Sequence, residues 1–277
     1  MNTGTLAGYG LGSGSAVPSP FQSQYFEFNS SGMWQKPANC SLVYVEIIGA
    51  GAGGGSGRGG AGATSAGGGG GGSGSLAVFT FHAQFVPNIV PIIVGVGGAG
   101  GVAVISGSNG NAGQNGGVSN FNGILGTFLS TGGAGGTTTT AANPTTQFSN
   151  TSFTWLASDA PTLGVTTQVN PTVGARGATV TSAVLTTFGF QGNQLSGFYS
   201  TPSSSMTSIT DFKPAITDPI FGMGMGGGGG CITNGVGSAG LNGATPGGGG
   251  GGGSATWSGT SGAGATGGNG QVRIWCW

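Results

Sequence analysis

Glycine runs such as Gly67 to Gly72 and Gly247 to Gly253 put long stretches of bare backbone between short β-branched and aromatic segments. Glycine makes up 68 of the 277 residues. A backbone without Cβ atoms has few ways to become ordered. Each ordered glycine costs about 0.5–1 kcal/mol relative to alanine, because the unfolded chain gives up more freedom. Its N–H and C=O groups must also find partners once they leave water. Two outcomes follow. The runs are flexible linkers, or they pack backbone against backbone as extended threefold helices of the polyproline II kind. Three features favour packing. Strands flank the runs closely, the interruptions are mostly Ala, Ser, Thr and Asn, and the sequence returns to a strand pattern at Gln271 to Trp277. An oligomer is expected to help hold such runs.

The side chains narrow function further. Five Lys/Arg and five Asp/Glu give a formal net charge of zero. No basic stripe for nucleic acid exists, and low charge favours association. Aromatics at 9% argue against a disordered polar chain. Cys40, Cys231 and Cys276 have no disulfide or zinc spacing and read as small buried hydrophobes, which fits a reducing site of synthesis. The start at Met1 lacks a basic, then apolar leader, so no secretory signal is expected. The run Phe85 to Val96 is broken by Pro87 and Pro91 and is too short to span a bilayer, so no membrane insertion is expected.

Residues 1–24 read as an extended attachment arm. Strands are predicted at Tyr25 to Phe28, Leu42 to Ile48, Ser75 to Phe81, Ile89 to Val96 and Gln271 to Trp277. Leu42 to Ile48 is apolar on both faces and is read as central and covered. Pro91 points to an edge or a bulge. In the last strand Val272, Ile274 and Cys276 share one face, and Arg273, Trp275 and Trp277 the other. Trp34, Val43, Val45, Ile47, Val272 and Ile274 are the candidate core. Helix formers never accumulate at helical spacing. The expected fold is all-β, a jelly-roll-like β-sandwich with long glycine-rich loops or polyglycine packing, assembled as a trimer. Residues 25–136 and 222–277 form the glycine-rich β domain, and 137–221 a Ser/Thr-rich β insertion.

The run Phe28 to Pro37, then Val43 to Gly55, resembles the glycine-rich domain of bacteriophage tail fibres and related virion proteins. Ile92 to Gly101 resembles that family's strand followed by a Val-Gly-x-Gly-Gly element, and Gly267 to Ile274 its usual ending. The matches cover 26–136 and 222–277; residues 137–221 have no counterpart in it. The resemblance implies a non-enzymatic virion structural role in a particle assembled in the host cytoplasm, without a cofactor and with no catalytic residue to transfer. The expected partners are further copies in a homotrimer, other virion proteins through residues 1–24, and a glycan or protein of the host surface. The alternatives are a capsid-exterior fibre or decoration protein, and a cellular glycine-rich wall or ice-binding protein.

Candidate sites are sparse. Trp155, Phe198, Tyr199 and Trp257 sit among Ser, Gly and Thr, the composition of rigid aromatic anchors in adaptable binding surfaces. The first reading for such residues, ahead of a contact role, is as caps on the strands' hydrophobic core. His82 reads as a strand surface residue, since nucleophilic chemistry needs a partner. Asp211 and Asp218, next to prolines, read as turn residues rather than as a glycosidase pair. No GxGxxG string has the strand–helix setting of a nucleotide site, and neither Lys36 nor Lys213 follows a glycine.

Overall fold

The computed structural model describes residues 23–62, 65–121 and 232–277, with short segments between 125 and 225. Among these residues the fold is nearly all β. There is one single-turn 3₁₀ segment at Ala83–Phe85 and no α-helix, and several antiparallel sheets but no closed barrel.

The strands form where β-branched and aromatic residues alternate. They are β1 (Gln24–Phe28), β2 (Gly32–Gln35), β3 (Leu42–Ile48), β4 (Gly60–Ala61), β5 (Leu76–His82), β6 (Ile89–Ile93), β7 (Asn120–Phe121) and β8 (Leu125–Gly126). The strand Gln271–Cys276 lies between β1 and β3, antiparallel to both, with Ile274 opposite Phe26 and Val45. β5 pairs with β3 on the other side, and Thr162–Gln168 adds a fifth strand beside β5. The second sheet runs β2-β6-β7-β8.

One hydrophobic cluster draws on both sheets. Val43, Val45, Ile47, Phe79, Val272 and Ile274 come from the first, and Trp34, Val90, Ile92 and Phe121 from the second. The Trp34 ring lies 6.0 Å from both Phe26 and Phe121. Lys36 Nζ donates to the carbonyls of Ala83 (2.6 Å) and Val86 (2.5 Å), fixing the 3₁₀ turn beneath β2.

Three expectations need correction. β3 is central, but only Val43, Val45, Ile47 and Ile48 are buried; Leu42, Tyr44 and Glu46 are half-buried because their face carries polar tips. β6 is not an edge strand despite Pro91, for β2 and β7 flank it. The described ladder to β7 uses only Ile92 and Ile93, so the missing proline N–H interrupts no bond there. Cys40 and Cys276 are joined as a disulfide with Cα atoms 5.5 Å apart, rather than lying as separate thiols. The antiparallel register puts the approach to β3 beside the far end of Gln271–Cys276, so the two cysteines meet. Cys231 lies outside the described residues.

The glycine runs are ordered, with a three-residue rhythm. Along residues 49–59 successive N–H groups turn to three different neighbours. Gly49, Ala52, Gly55 and Arg58 donate to the carbonyls of Ser75, Gly72, Gly69 and Ala66. Ala50, Gly53, Ser56 and Gly59 donate to Gly117, Gln114, Asn111 and Ser108. Gly51, Gly54 and Gly57 donate to Gly268, Ala265 and Gly262. In return, the carbonyls of Gly51 and Gly54 accept from Gly98 and Gly101, and those of Ala52 and Gly55 from Gly250 and Gly253. A threefold helix without internal hydrogen bonds gives this pattern. The donors run against the chain order of their partners and the acceptors with it, so the surrounding tracts alternate in direction. All these partners lie in the same chain. Residues 47–60 are buried throughout.

The close approach explains the glycine. A methyl group on Gly51, Gly54, Gly57 or Gly60 would overlap the carbonyl oxygen of Gly248, Gly251, Ser254 or Thr256. The small polar interruptions complete the bonding. Ser119 Oγ accepts from Gly95 N (3.0 Å) and donates to Ile48 O (2.7 Å). Ser261 Oγ accepts from Val104 N, and Asn269 Oδ1 from Gly97 N, both at 2.9 Å.

Two outcomes are expected. Gly54→Ala unfolds the bundle or lowers its melting temperature steeply, whereas Gly32→Ala, whose added methyl would meet nothing nearer than a Phe28 ring carbon at 3.5 Å, is nearly neutral. Equal melting curves for the two variants would refute backbone-to-backbone packing. Trp34 is 1% exposed and its indole N–H has no acceptor in the structure. Trp34→Ala should therefore cost about 3–5 kcal/mol in denaturant titration, and Trp34→Phe distinctly less, since it removes the buried unpaired donor.

Candidate contact surface

Of the surface aromatics anticipated from sequence, Trp155, Phe198 and Tyr199 lie outside the described residues. Trp257 is half-buried on the strand Thr256–Thr260, which pairs with Ile232–Val236 on one side and β4 on the other. Asp211 and Asp218 also lie outside the described residues. His82 is exposed at the end of β5, with its ring 6.4 Å from Phe85. Among the described residues no three His, Cys, Asp or Glu side chains gather as metal ligands.

The candidate core residues Trp34, Val43, Val45, Ile47, Val272 and Ile274 are each no more than 1% exposed. Because strand faces alternate, the same strands must turn their other residues outward. The register then sets those residues in rows. Tyr25, Trp275, Tyr44 and Thr80 share one row, and Glu27, Arg273, Glu46 and Val78 the next. Trp275 lies between Tyr25 (4.9 Å between ring centroids) and Tyr44 (5.3 Å), and Tyr44 also faces Trp277 at 6.4 Å. Arg273 Nη1 is 3.6 Å from a Glu46 carboxylate oxygen, and its Nε donates to Gln271 Oε1 at 2.6 Å.

Each tyrosine donates to the carboxylate two residues on: Tyr25 to Glu27 at 2.5 Å and Tyr44 to Glu46 at 3.1 Å. Burial and then the hydrogen bond and charge of Glu27 push the Tyr25 phenol up to about 12. Burial and then the charge of Glu46 do the same for Tyr44. The Tyr25 hydroxyl, followed by the Asn29 amide, holds the Glu27 carboxyl below its ordinary range. This face offers flat aromatic area edged by carboxylates and one guanidinium.

Sequence reasoning placed Arg273, Trp275 and Trp277 on one face, but did not join them to Tyr25, Glu27, Tyr44 and Glu46. The missing information was the strand order, since β1 and β3 reach Gln271–Cys276 across more than two hundred residues of chain.

Residues 27–277 match the glycine-rich domain family, and the chain belongs to that family. No curated protein matches the sequence. No helix among the described residues is long and apolar enough to cross a membrane.

The two phenols give a pH signature. Unfolded tyrosine ionises near 10. The native state keeps these protons to about 12, so native stability is retained below pH 10 and falls as pH rises from there towards 12. Spectrophotometric titration should show two tyrosines ionising late, and Tyr25→Phe should raise the Glu27 pKa in carboxyl NMR. Normal ionisation of every tyrosine would refute the rows as drawn.

Proposed function

We propose that this chain is a bacteriophage virion structural protein of tail-fibre or appendage type. It acts without an enzymatic step. Residues 1–24 attach it to other virion proteins, and the body is a β-sandwich continued by the polyglycine bundle. Three copies assemble around one axis, and exposed aromatic surface meets a glycan or protein of the host. Its place is the virion, after assembly in the host cytoplasm.

The observation that carries this reading is the bundle built around residues 49–59, in which backbone itself is the packing material. Such a body offers rigidity and shape, which is what an appendage needs. The ordered run of motifs from Trp34 to Ile274 supports the same reading. The outward row of Tyr25, Trp275 and Tyr44 suits a contact made by stacking and hydrogen bonds.

The test is the particle. Mass spectrometry of purified virions should find the chain at a low, fixed copy number, and antibody labelling should place it on the tail. Labelling over the capsid would favour the exterior fibre or decoration reading. Recovery from a host wall fraction, with none in particles, would overturn the proposal.

A further inference from the structure

The hydrogen bonds fix how the tracts are layered. Tract 49–59 is ringed by 66–75, 108–117, 94–105, 261–270 and 247–256. Gly132 and Ala134 sit between 66–75 and 108–117, through Gly69 N to Ala134 O and Gly132 N to Asn115 Oδ1. That is the sixfold packing expected of threefold helices. Tract 261–270 touches 94–105 on one side, through Gly264 N to Gly101 O and Gly267 N to Gly98 O. On its other side it touches 237–244, through Gly240 N to Ala263 O and Gly243 N to Thr266 O. Beneath it lie 49–59 and 247–256. In sixfold packing the three tracts 94–105, 261–270 and 237–244 therefore lie in line and form a flat outer layer.

That layer is open, whereas tract 66–75 in the far layer is buried throughout. The outer tracts also break the glycine pattern in a particular way. Val96, Ala99, Val102 and Ile105 recur every third residue, so one side of tract 94–105 carries them all. Val96, Val102 and Ile105 are 71–73% exposed, and Val236, at the start of the third tract, is 66% exposed. A bundle held together by bare backbone has no structural use for β-branched side chains turned to water. None of the three tracts carries a charged residue, so covering them desolvates no charge.

The dimensions suit a protein partner. The nine steps from Val96 to Ile105 span about 28 Å at about 3.1 Å each. Three hydrogen-bonded backbones are about 10–15 Å across. The chain runs directly from β6 into this layer, and Ile89, Ile93 and the paired β2 residue Met33 are exposed as well. The layer alone is on the order of 300–400 Å² at those dimensions, and Met33, Ile89 and Ile93 extend it towards the roughly 800 Å² per partner of specific interfaces. A second copy of the chain supplies the same uncharged surface with the same three-residue spacing, so ridge and groove match without further design.

We infer that this flat layer is where copies of the chain meet, with the Val96–Val102–Ile105 row of one copy packed on the Val236 edge of another. The inference rests on the self-assembly included in the proposed function. Size-exclusion chromatography with light scattering of the full chain tests it. Wild type should elute at a multiple of 26.4 kDa, three copies if the ring closes as proposed. Val102→Asp and, separately, Ile105→Lys should bring the mass down to one copy while circular dichroism and the monomer melt stay native. His82→Asp, on exposed β5 surface, should leave the assembly intact. A monomeric wild type, or an assembly that survives both substitutions, would overturn the inference. A monomeric wild type that is nevertheless found in virions removes only this inference. A chain that assembles through the layer yet is absent from virions removes only the functional reading.

Discussion

The polyglycine part of the described structure depends on the N–H to O=C bonds between tract 49–59 and its neighbours. These bonds are made by groups that would otherwise stay in water, and a buried peptide group left unpaired costs about 1–3 kcal/mol. They form only where backbones approach without Cβ atoms between them. Gly51, Gly54, Gly57 and Gly60 keep one side of the tract bare for this reason. Ala52 and Arg58 lie on a different side of the threefold helix, and Ser56, in line with Gly53 and Gly59, accepts at its Oγ from Asn111 N at 2.8 Å. Arg58 is buried and its Nη1 donates to Ser65 Oγ at 3.0 Å.

The sheets complete what the bundle begins. β3 runs directly into tract 49–59 and tract 66–75 runs directly into β5, so the strand pair and the tract pair are one continuous antiparallel hairpin. Tract 261–270 passes in the same way into Gln271–Cys276 beside β3. Apolar side chains thus hold the strand end through a conventional core. Peptide groups hold the other end, and the Cys40–Cys276 disulfide closes the strand end at its margin. The entropy of ordering glycine is offset partly by strands that already fix where each tract starts.

Much of this was legible in the sequence. The bounds of β3 follow from Leu42 to Ile48, and the inward face of Gln271–Cys276 from the alternation of Val272, Ile274 and Cys276. The glycine tracts could be read as packed backbone or as tethers, because composition does not record hydrogen-bond partners. The three-residue rhythm is written into Gly51, Gly54, Gly57 and Gly60, but it becomes a signal only when their neighbours are known. The disulfide and the row of Tyr25, Trp275 and Tyr44 were not legible for a related reason. Each depends on strand order, which joins residues far apart in the chain and leaves no local mark. Pro91 misled because its effect depends on where the neighbouring ladder stops.

The rhythm around tract 49–59 also governs how such a chain can change its length. Losing one residue from a threefold helix rotates everything beyond it by a third of a turn, which would drive the methyl of an alanine into a neighbouring carbonyl. Losing three restores the alignment and merely shortens the rod. Kindred sequences should therefore lengthen and shorten in triplets inside the tracts and drift freely at the turns between them, so that evolution can adjust the reach of the body without redesigning its interior.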